Sequence, residues 1–238
     1  MTFSHYTYLL VDISCLLFPL IFSFHPKFKF ISEFKNFILP SLVIAFLFIL
    51  WDFIFTDMGI WNFNPNYTLG IYLHNLPIEE ILFFLFIPYA CTFTYFCVDK
   101  YFPAKKSLGL DSVILLFIAI LLLSVGLLNL KLAYTCITFI SASILLFILL
   151  VLKVEFQRNF LITYLLIQIP FLISNGVLTG NFTDEAVVIY NNSENLGIRI
   201  TTIPIEDLVY GFLLLILNVS GYEWMKKHRG VRILSSSL

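Results

Sequence analysis

The sequence predicts an all-α membrane protein with seven transmembrane helices, arranged as two parallel three-helix repeats joined by a connector helix. Three observations lead to this fold class: an apolar composition, seven long apolar segments and a short acidic motif that occurs twice. Of the 238 residues, 60% are hydrophobic and only 12% are charged, whereas about 25% of the residues in a typical soluble domain are charged. We therefore expect the chain to lie in a lipid bilayer.

Seven segments are long enough to cross a membrane, because a spanning helix needs roughly 17 to 25 mainly apolar residues. They cover residues 6–24, 37–55, 78–98, 113–130, 132–152, 160–178 and 205–222. The fourth and fifth segments are nearly continuous, and only Gly126, Asn129 and Lys131 mark a turn between them. The count of seven depends most on that division.

The acidic motif indicates an internal duplication. Pro-Ile-Glu-Glu at residues 77–80 returns as Pro-Ile-Glu-Asp at residues 204–207, at an offset of 127 positions, and each copy opens an apolar segment. A Leu-Gly-Ile sequence at residues 69–71 returns at the same offset, and an Asn-Phe pair further upstream returns at an offset of 123. Spans one to three therefore correspond to spans five to seven.

The duplication predicts how the chain is divided and oriented. We expect a first repeat at residues 1–98, a connector loop and fourth helix at 99–131, and a second repeat with a basic tail at 132–238. Because equivalent helices are four spans apart, the repeats run in the same direction and are related by an axis along the membrane normal. The two acid motifs then lie at the same depth, where they can face one cavity.

The basic residues predict which side of the membrane each loop occupies, since cytoplasmic loops carry an excess of Lys and Arg. With seven spans, one side holds only Lys131 and Arg199. The other side holds Lys27, Lys29, Lys35, Lys100, Lys105, Lys106, Lys153, Arg158, Lys226, Lys227, Arg229 and Arg232. We expect an integral protein of the cytoplasmic membrane, with the N-terminus outside, the C-terminus in the cytoplasm and the acid motifs at the non-cytoplasmic side.

Glu79, Glu80, Glu206 and Asp207 are the candidate catalytic residues. A charged side chain inside a membrane-spanning segment costs at least about 2.5 to 3.5 kcal/mol, so such residues are candidates for function. Acids in a first helical turn also complement the helix dipole, by about 0.3 to 1 kcal/mol, and proline favours the first helical position. That structural explanation would suffice for one copy, but two copies at equivalent positions favour a function.

Helix geometry separates the two acids of each motif, since neighbouring helical residues point about 100 degrees apart. We expect Glu79 and Glu206 to be the primary catalytic acids, because the first acid is Glu in both copies. Glu80 and Asp207 would then tune the pKa values of the primary acids or act as second participants. Burial among apolar side chains raises the pKa of a carboxyl group, and a nearby like charge raises it further. One cavity can then hold a protonated acid and an ionised acid near neutral pH.

Four aromatic residues and one further acid are candidates for binding a substrate. Phe83 and Tyr210 lie one helical turn after the first acid of each motif. Trp51 and Trp61 fit either of two roles, as anchors at the membrane interface or as an aromatic wall for an apolar or cationic species. Asp52 follows Trp51 directly and is grouped with them.

Several classes of partner are not expected. A net charge of −1 without a basic stripe gives no reason to expect nucleic acid. The four cysteines lack the paired spacing of metal sites, so no metal is expected. No G-x-G-x-x-G motif follows a strand, so no dinucleotide cofactor is expected. Asp12 is interpreted as a polar residue near the start of the first span rather than as a functional group.

Several motifs resemble the small integral-membrane lycopene cyclases. This family includes two-subunit bacterial forms, fused single-chain forms and the cyclase half of a bifunctional fungal carotenoid enzyme. The resemblance rests on the three-helix repeats, the two Pro-Ile-Glu helix starts, and the sequences Trp51-Asp52, Phe55-Thr56 and Gly59-Ile60-Trp61. It covers nearly the whole chain and implies the fused single-chain form.

The resemblance implies a lycopene β-cyclase, an intramolecular lyase or isomerase that forms β-ionone-type rings at the ends of lycopene or a related linear carotenoid. A proton is delivered to the terminal double bond, an internal double bond attacks the cation, and a proton is lost without net redox change. A carboxylic acid, a carboxylate and aromatic faces near the cation are sufficient for this chemistry. The implied partners are the lipid bilayer and other carotenoid enzymes.

Other functions fit parts of the sequence. A proton-coupled transporter of a small apolar or anionic solute would also place paired acids between parallel repeats, but it predicts broken helices with polar groups at the midplane, where Gln168, Pro170 and Asn218 are the only candidates. A retinal protein holds its chromophore as a Schiff base on a lysine inside the last helix, and this interpretation is rejected because residues 205–222 contain no lysine. A structural subunit would tolerate acid-to-amide changes without loss of any activity.

Overall fold

The computed structural model describes residues 4–103 and 109–236, with side chains as far as residue 229. The helices are α1 (Thr7–Ser23), α2 (Phe34–Asp57), α3 (Ile78–Tyr101), α4 (Leu110–Leu128), α5 (Ala133–Val151), α6 (Gln157–Leu178) and α7 (Ile205–Ser236). All seven helices in this part of the chain are long and apolar enough to cross a membrane. The predicted seven-helix, all-α fold class is confirmed.

Helices α4 and α5 form the tight antiparallel pair that the sequence divided least clearly. Asn129 ends α4, and Gly126 allows the two helices to approach closely, because a Cβ at that position would lie 2.8 Å from a side-chain carbon of Ile140. Ser143 donates a 2.7 Å hydrogen bond to the Ala119 carbonyl across the same interface. The turn is therefore placed where the sequence predicts it.

Five of the described helices, α2, α3, α4, α6 and α7, extend beyond their predicted bounds at one end or both. Helix α2 begins at Phe34, and α7 continues as far as Ser236 rather than ending at residue 222. Helix α7 packs against α2, where a Cβ at Gly221 would lie 2.5 Å from Cβ of Pro40. The charged tail forms a helix because Lys, Arg, Met and Leu all have high helix propensity.

A short hairpin precedes each acid motif. Strands β2 (Tyr72–Leu73) and β3 (Leu76–Pro77) pair before α3, and β5 (Arg199–Ile200) and β6 (Ile203–Pro204) pair before α7. The equivalent turn residues His74 and Thr201 have φ values of 56° and 57°. Equal backbone conformations 127 positions apart agree with the internal duplication.

The two repeats are joined by a third pair of strands beside the acid motifs. Strand β1 (Trp61–Phe63) pairs antiparallel with β4 (Val188–Tyr190), so that Trp61 lies opposite Tyr190. The amide of Asn191 donates to the carbonyl of Ile60 at 2.9 Å, which continues the pairing. This pair brings side chains from both halves to one place.

Basic residues lie at the opposite end of α3 from Glu79 and Glu80. Glu79 and Glu80 are in the first turn of α3 and Lys100 is in the last, where its ammonium donates to the carbonyls of Lys27 and Phe28 at 2.8 and 2.9 Å. Lys105 and Lys106, and the side chain of Arg232, lie outside the described residues. The orientation in the membrane and the boundaries 1–98, 99–131 and 132–238 stay predictions.

Candidate active site

An elongated cavity of about 320 Å³ lies between α1, α3, α6 and α7. Its walls are mainly apolar, and its polar side chains are concentrated where α3 and α7 begin. The lining of α3 extends from Glu80 to Thr94, which is about 21 Å along a helix that rises about 1.5 Å per residue. The cavity is therefore a long apolar tube with acids at one end.

The structure brings most of the predicted site residues to this polar end. Its lining includes Asp52, Trp61, Glu80, Phe83, Asp207 and Tyr210. Trp51 does not line the cavity. It packs behind Tyr210, with 5.6 Å between the ring centroids, so the structure places it as a support for the aromatic wall rather than as part of the wall.

Glu79 and Glu206, the two acids expected to lead, do not line the cavity. Each is fully buried and turns back toward the loop before its helix, where it accepts a backbone hydrogen bond from Leu69 at 2.6 Å or from Leu196 at 2.8 Å. Thr135 also donates to Glu206 at 2.6 Å. The structure therefore favours the opposite ranking of the acids, because in both repeats the second acid faces the cavity and the first acid binds the preceding loop.

Asp207 is surrounded by hydrogen-bond donors. Tyr134 on α5 donates to one carboxylate oxygen at 2.6 Å, and Asn175 on α6 and Tyr190 on β4 donate to the other at 2.7 and 2.9 Å. Burial and the neighbouring Asp207 raise the pKa of the Tyr190 hydroxyl well above its ordinary range, so this group stays a neutral donor. Three donors satisfy most of the acceptor positions of this carboxyl group.

Glu80 has a different environment, because its neighbour on α2 is another acid. Tyr8 on α1 donates a short hydrogen bond to Glu80, and the carboxyl groups of Asp52 and Glu80 are hydrogen-bond partners. Tyr210 on α7 donates to Asp52 at 2.6 Å. Two carboxyl groups can bond to each other only when one of them carries a proton.

Sequence reasoning missed four members of this cluster: Tyr8, Tyr134, Asn175 and Tyr190. The first two are repeat equivalents, 126 positions apart, and each donates to the second acid of its own half. Asn175 is equivalent to Asp52 at the offset of 123 that relates the Asn-Phe pairs. Tracing the offset of 123 through the apolar segments would have found Asn175, whereas the two tyrosines are related by a third offset, 126.

Asp12 is buried more deeply than its position near a span end suggests. It is fully buried, and neither carboxyl oxygen has a hydrogen-bond partner among the described residues. It lies one turn after Tyr8 on α1 and interacts electrostatically with Glu80 and Glu79. Its position near the start of α1 agrees with the sequence, but the sequence does not predict this burial.

The described residues offer no evident metal site, because no three of their His, Cys, Asp or Glu side chains are grouped to hold an ion. The polar end of the cavity instead combines acids, phenol hydroxyls and aromatic faces. This arrangement can give a proton to an apolar molecule, stabilise a cation and take a proton back. The expectations of no metal and no cofactor stay predictions.

Fold and site together define a class: seven-helix membrane proteins with a duplicated acid motif at one end of an apolar cavity. The chain matches the family model described as Lycopene cyclase over residues 5–98 and 131–225. It therefore belongs to the lycopene cyclase family. No curated protein and no solved structure matches the chain.

The family match falls in two segments, one in each half of the chain, which agrees with the internal repeat. Membership of the family supports carotenoid cyclisation as the activity and a linear carotenoid as the substrate class. The seven apolar helices are consistent with an integral membrane protein.

Proposed function

We propose that this chain is a lycopene β-cyclase, which forms β-ionone-type end rings on lycopene or a related linear carotenoid and uses Glu80 and Asp207 to exchange protons with the substrate. One observation carries the proposal. The two acids come from equivalent positions of the two repeats, and both line the same apolar cavity. The family match supplies the substrate class.

The reaction needs only proton transfers and one new carbon–carbon bond. A carboxylic acid gives its proton to the terminal double bond of the polyene, and an internal double bond attacks the resulting cation to close the ring. A carboxylate then takes a proton from a ring carbon, which leaves a double bond in the ring. One proton enters and one leaves, so the proposed reaction consumes no oxidant or reductant and uses no cofactor.

Aromatic side chains support the cationic stage. Trp61, Phe83 and Tyr210 line the cavity beside the acids, and an aromatic face attracts a cation within about 6 Å of its centre. The apolar walls also exclude water, which would otherwise capture the cation. The substrate-binding role predicted for these three residues is kept in this proposal, with Trp51 holding Tyr210 in place.

The size of the cavity favours one substrate end at a time. A volume of about 320 Å³ lies at the lower limit of the roughly 300 to 1,000 Å³ of small-molecule sites, and a forty-carbon polyene is larger. Phe18 lines the cavity and is also 62% exposed on the surface of α1, which faces lipid in a membrane. The remainder of the substrate would therefore extend into the bilayer beside α1.

The polar groups that would support a transporter form hydrogen bonds within their own helices. Helix α6 continues unbroken through Gln168 and Pro170, and Gln168 donates to the Tyr164 carbonyl of its own helix at 3.0 Å. Asn218 donates to Leu214 at 2.8 Å in the same way. These groups do not form the midplane binding site between broken helices that a transporter predicts, and a cyclase is favoured.

Pigment analysis of cells that accumulate lycopene tests the proposal. The wild-type chain is expected to convert lycopene to products that co-elute with β-ring standards. The Glu80→Gln and Asp207→Asn variants are expected to lose at least about 100-fold of this conversion, since general acid–base catalysis contributes about 10² to 10⁴.

Two exposed acids, Glu155 and Asp184, supply matched controls. Glu155→Gln and Asp184→Asn should behave as the wild type at equal membrane abundance. Unchanged lycopene with the wild-type chain present in the membrane would reject cyclisation, and ε-ring products would reject only the ring type.

A further inference from the structure

The two halves place an acid at the same position but give it a different partner. Glu80 and Asp207 are equivalent at the offset of 127, and both line the cavity. Their neighbours from the second helix of each repeat are equivalent at the offset of 123, but Asp52 is an acid and Asn175 is an amide. The site is therefore asymmetric in its capacity to hold protons.

The second half has more donors than the first. Tyr190 donates to Asp207 at 2.9 Å, whereas its repeat equivalent, Phe63, has no hydroxyl group. With Tyr134 and Asn175, three donors point at the Asp207 carboxyl, and they leave about one of its four acceptor positions open for a proton. Asp207 is ready to accept a proton.

The first half retains a proton. Tyr8 and Tyr210 donate to Glu80 and Asp52 respectively, and the hydrogen bond between these two carboxyls requires a further hydrogen that only a carboxylic acid can supply. The Asp52–Glu80 pair thus carries one proton in a cavity from which water is largely excluded. Both carboxyl groups line that cavity.

We infer that Asp52 and Asn175 divide the proposed reaction between the two halves: the Asp52–Glu80 pair gives the proton to the substrate, and Asp207, held ionised by Asn175, takes the proton from the ring. This assignment rests on the proposed function. Asp52 acts here as the proton-sharing partner of Glu80, and Asn175 acts as a positioning residue for Asp207.

The protons balance over one cycle. The Asp52–Glu80 pair loses a proton as a carbon–hydrogen bond forms at the substrate terminus, and Asp207 gains one as a ring carbon–hydrogen bond breaks. The site returns to its first state when one proton moves from Asp207 to the pair. Glu80 and Asp207 are close enough to interact electrostatically. The Tyr190 hydroxyl is bonded to Asp207 and the Tyr210 hydroxyl is bonded to Asp52, so a hydroxyl group lies at each end of the path between Asp207 and the pair.

The titratable groups around both carboxyls set the pH response. The Asp52–Glu80 pair is faced by Tyr8 and Asp12 of α1, Glu79 of α3, Tyr190 of β4, and Asp207 and Tyr210 of α7. Asp207 is faced by Tyr134, Tyr190 and Glu206, and by the pair itself. None of these groups is basic, so a change of partner at residue 52 or 175 is not compensated by a nearby cation.

Two single substitutions test the assignment with opposite pH responses. In Asp52→Asn an amide replaces the proton-sharing acid, so Glu80 lacks its proton at neutral pH and cyclisation should fall about 100-fold and rise again as the pH is lowered. In Asn175→Asp the new acid shares a proton with Asp207, so the acceptor is lost and cyclisation should rise as the pH is raised. Cyclisation is measured with purified protein in liposomes that contain lycopene.

Two controls separate proton chemistry from folding. Asp57→Asn and Asn181→Asp make the same changes at exposed positions of the same halves and should leave the pH profile unchanged. In the double variant Asp52→Asn/Asn175→Asp, the acid pair lies in the second half and the acid bonded to an amide lies in the first half. One donor and one acceptor are thereby restored, so the double variant should cyclise at least tenfold faster than either single variant.

Opposite shifts of the pH profile together with recovery in the double variant would support the assignment. Shifts in the same direction, unshifted profiles, or a double variant as slow as the slower single variant would overturn it. If Asp52→Asn is absent from the membrane, Asp52→Glu replaces it, and Asn175→Gln likewise replaces Asn175→Asp. These variants keep the acid or the amide and should keep the wild-type pH profile. Failure of the wild-type chain to cyclise lycopene would instead overturn the proposed function.

Discussion

Tyr210 in the last helix donates a 2.6 Å hydrogen bond to Asp52 in the second helix, and so a residue of one repeat positions an acid of the other. Trp61 of the first repeat packs in turn against Tyr134 of the second, with 5.1 Å between the ring centroids. These contacts place the acids of both halves around one cavity. Residues of both repeats thus line one cavity.

The Tyr210 hydroxyl is expected to matter more than its ring. In Tyr210→Phe the aromatic face stays, but Asp52 loses a buried donor, and an unsatisfied buried polar group costs about 1 to 3 kcal/mol. We expect cyclisation to fall about tenfold or more, as measured by product formation per unit of membrane protein. Tyr6→Phe removes the hydroxyl of an exposed tyrosine and should have no effect, and equal activity of both variants would contradict the role of the Tyr210 hydrogen bond.

Glu79 and Glu206 are expected to be structural. Glutamine keeps the side-chain oxygen that accepts the Leu69 or Leu196 amide, so Glu79→Gln and Glu206→Gln should retain most of their cyclisation activity. Alanine removes the acceptor and should lower the free energy of unfolding by about 1 to 3 kcal/mol, which thermal unfolding in detergent would detect. If Glu79→Gln were as inactive as Glu80→Gln, the ranking of Glu80 above Glu79 would be wrong.

The apolar tube below the acids is expected to hold the polyene chain. Ala90 lines this tube, so Ala90→Phe should block it and reduce conversion of lycopene by tenfold or more, without loss of protein from the membrane. Leu116→Phe enlarges a side chain on the exposed face of α4 and serves as the control. Full activity of Ala90→Phe would show that the substrate does not occupy this part of the cavity.

Close packing of α2 and α7 is expected to limit substitution at Gly221. A Cβ at this position would lie 2.5 Å from Cβ of Pro40, and overpacking a core costs about 1 to 3 kcal/mol. Gly221→Val should therefore unfold at a lower temperature in detergent than the wild type. At Gly211 the nearest atom to such a Cβ is 3.7 Å away, so Gly211→Ala should be tolerated, and equal stability of the two variants would contradict this packing.

The sequence predicts the helices well because span length and apolarity are properties of each segment alone. It also predicts where the acid motifs meet, since the offset of 127 and the direction of the repeats are sufficient for that. It does not predict which acid of each motif faces the cavity, because helix geometry separates Glu79 from Glu80 by about 100 degrees without indicating the direction of either side chain. That choice depends on the folded loop, whose Leu69 amide binds Glu79.

The hydrogen-bond donors around the acids were harder to predict for a related reason. Tyr190 reaches Asp207 only because β4 pairs with β1, and three-residue strands in a loop have no sequence periodicity to reveal them. Asn175 lies in an apolar helix, and the sequence alone does not distinguish its amide from the other polar groups of that helix. Its role follows only from its equivalence to Asp52, across two repeats with different offsets.

The most direct test of the account is the mass of the product formed in D₂O. Purified wild-type chain is equilibrated in D₂O and then supplied with less lycopene than protein, so that the first ring closed takes its proton from acids that already carry deuterium. The cyclic carotenes should be heavier by one deuterium in that ring, because the proton lost comes from a different carbon. Cyclic product without deuterium would contradict ring closure that starts with a proton from the acids of the site.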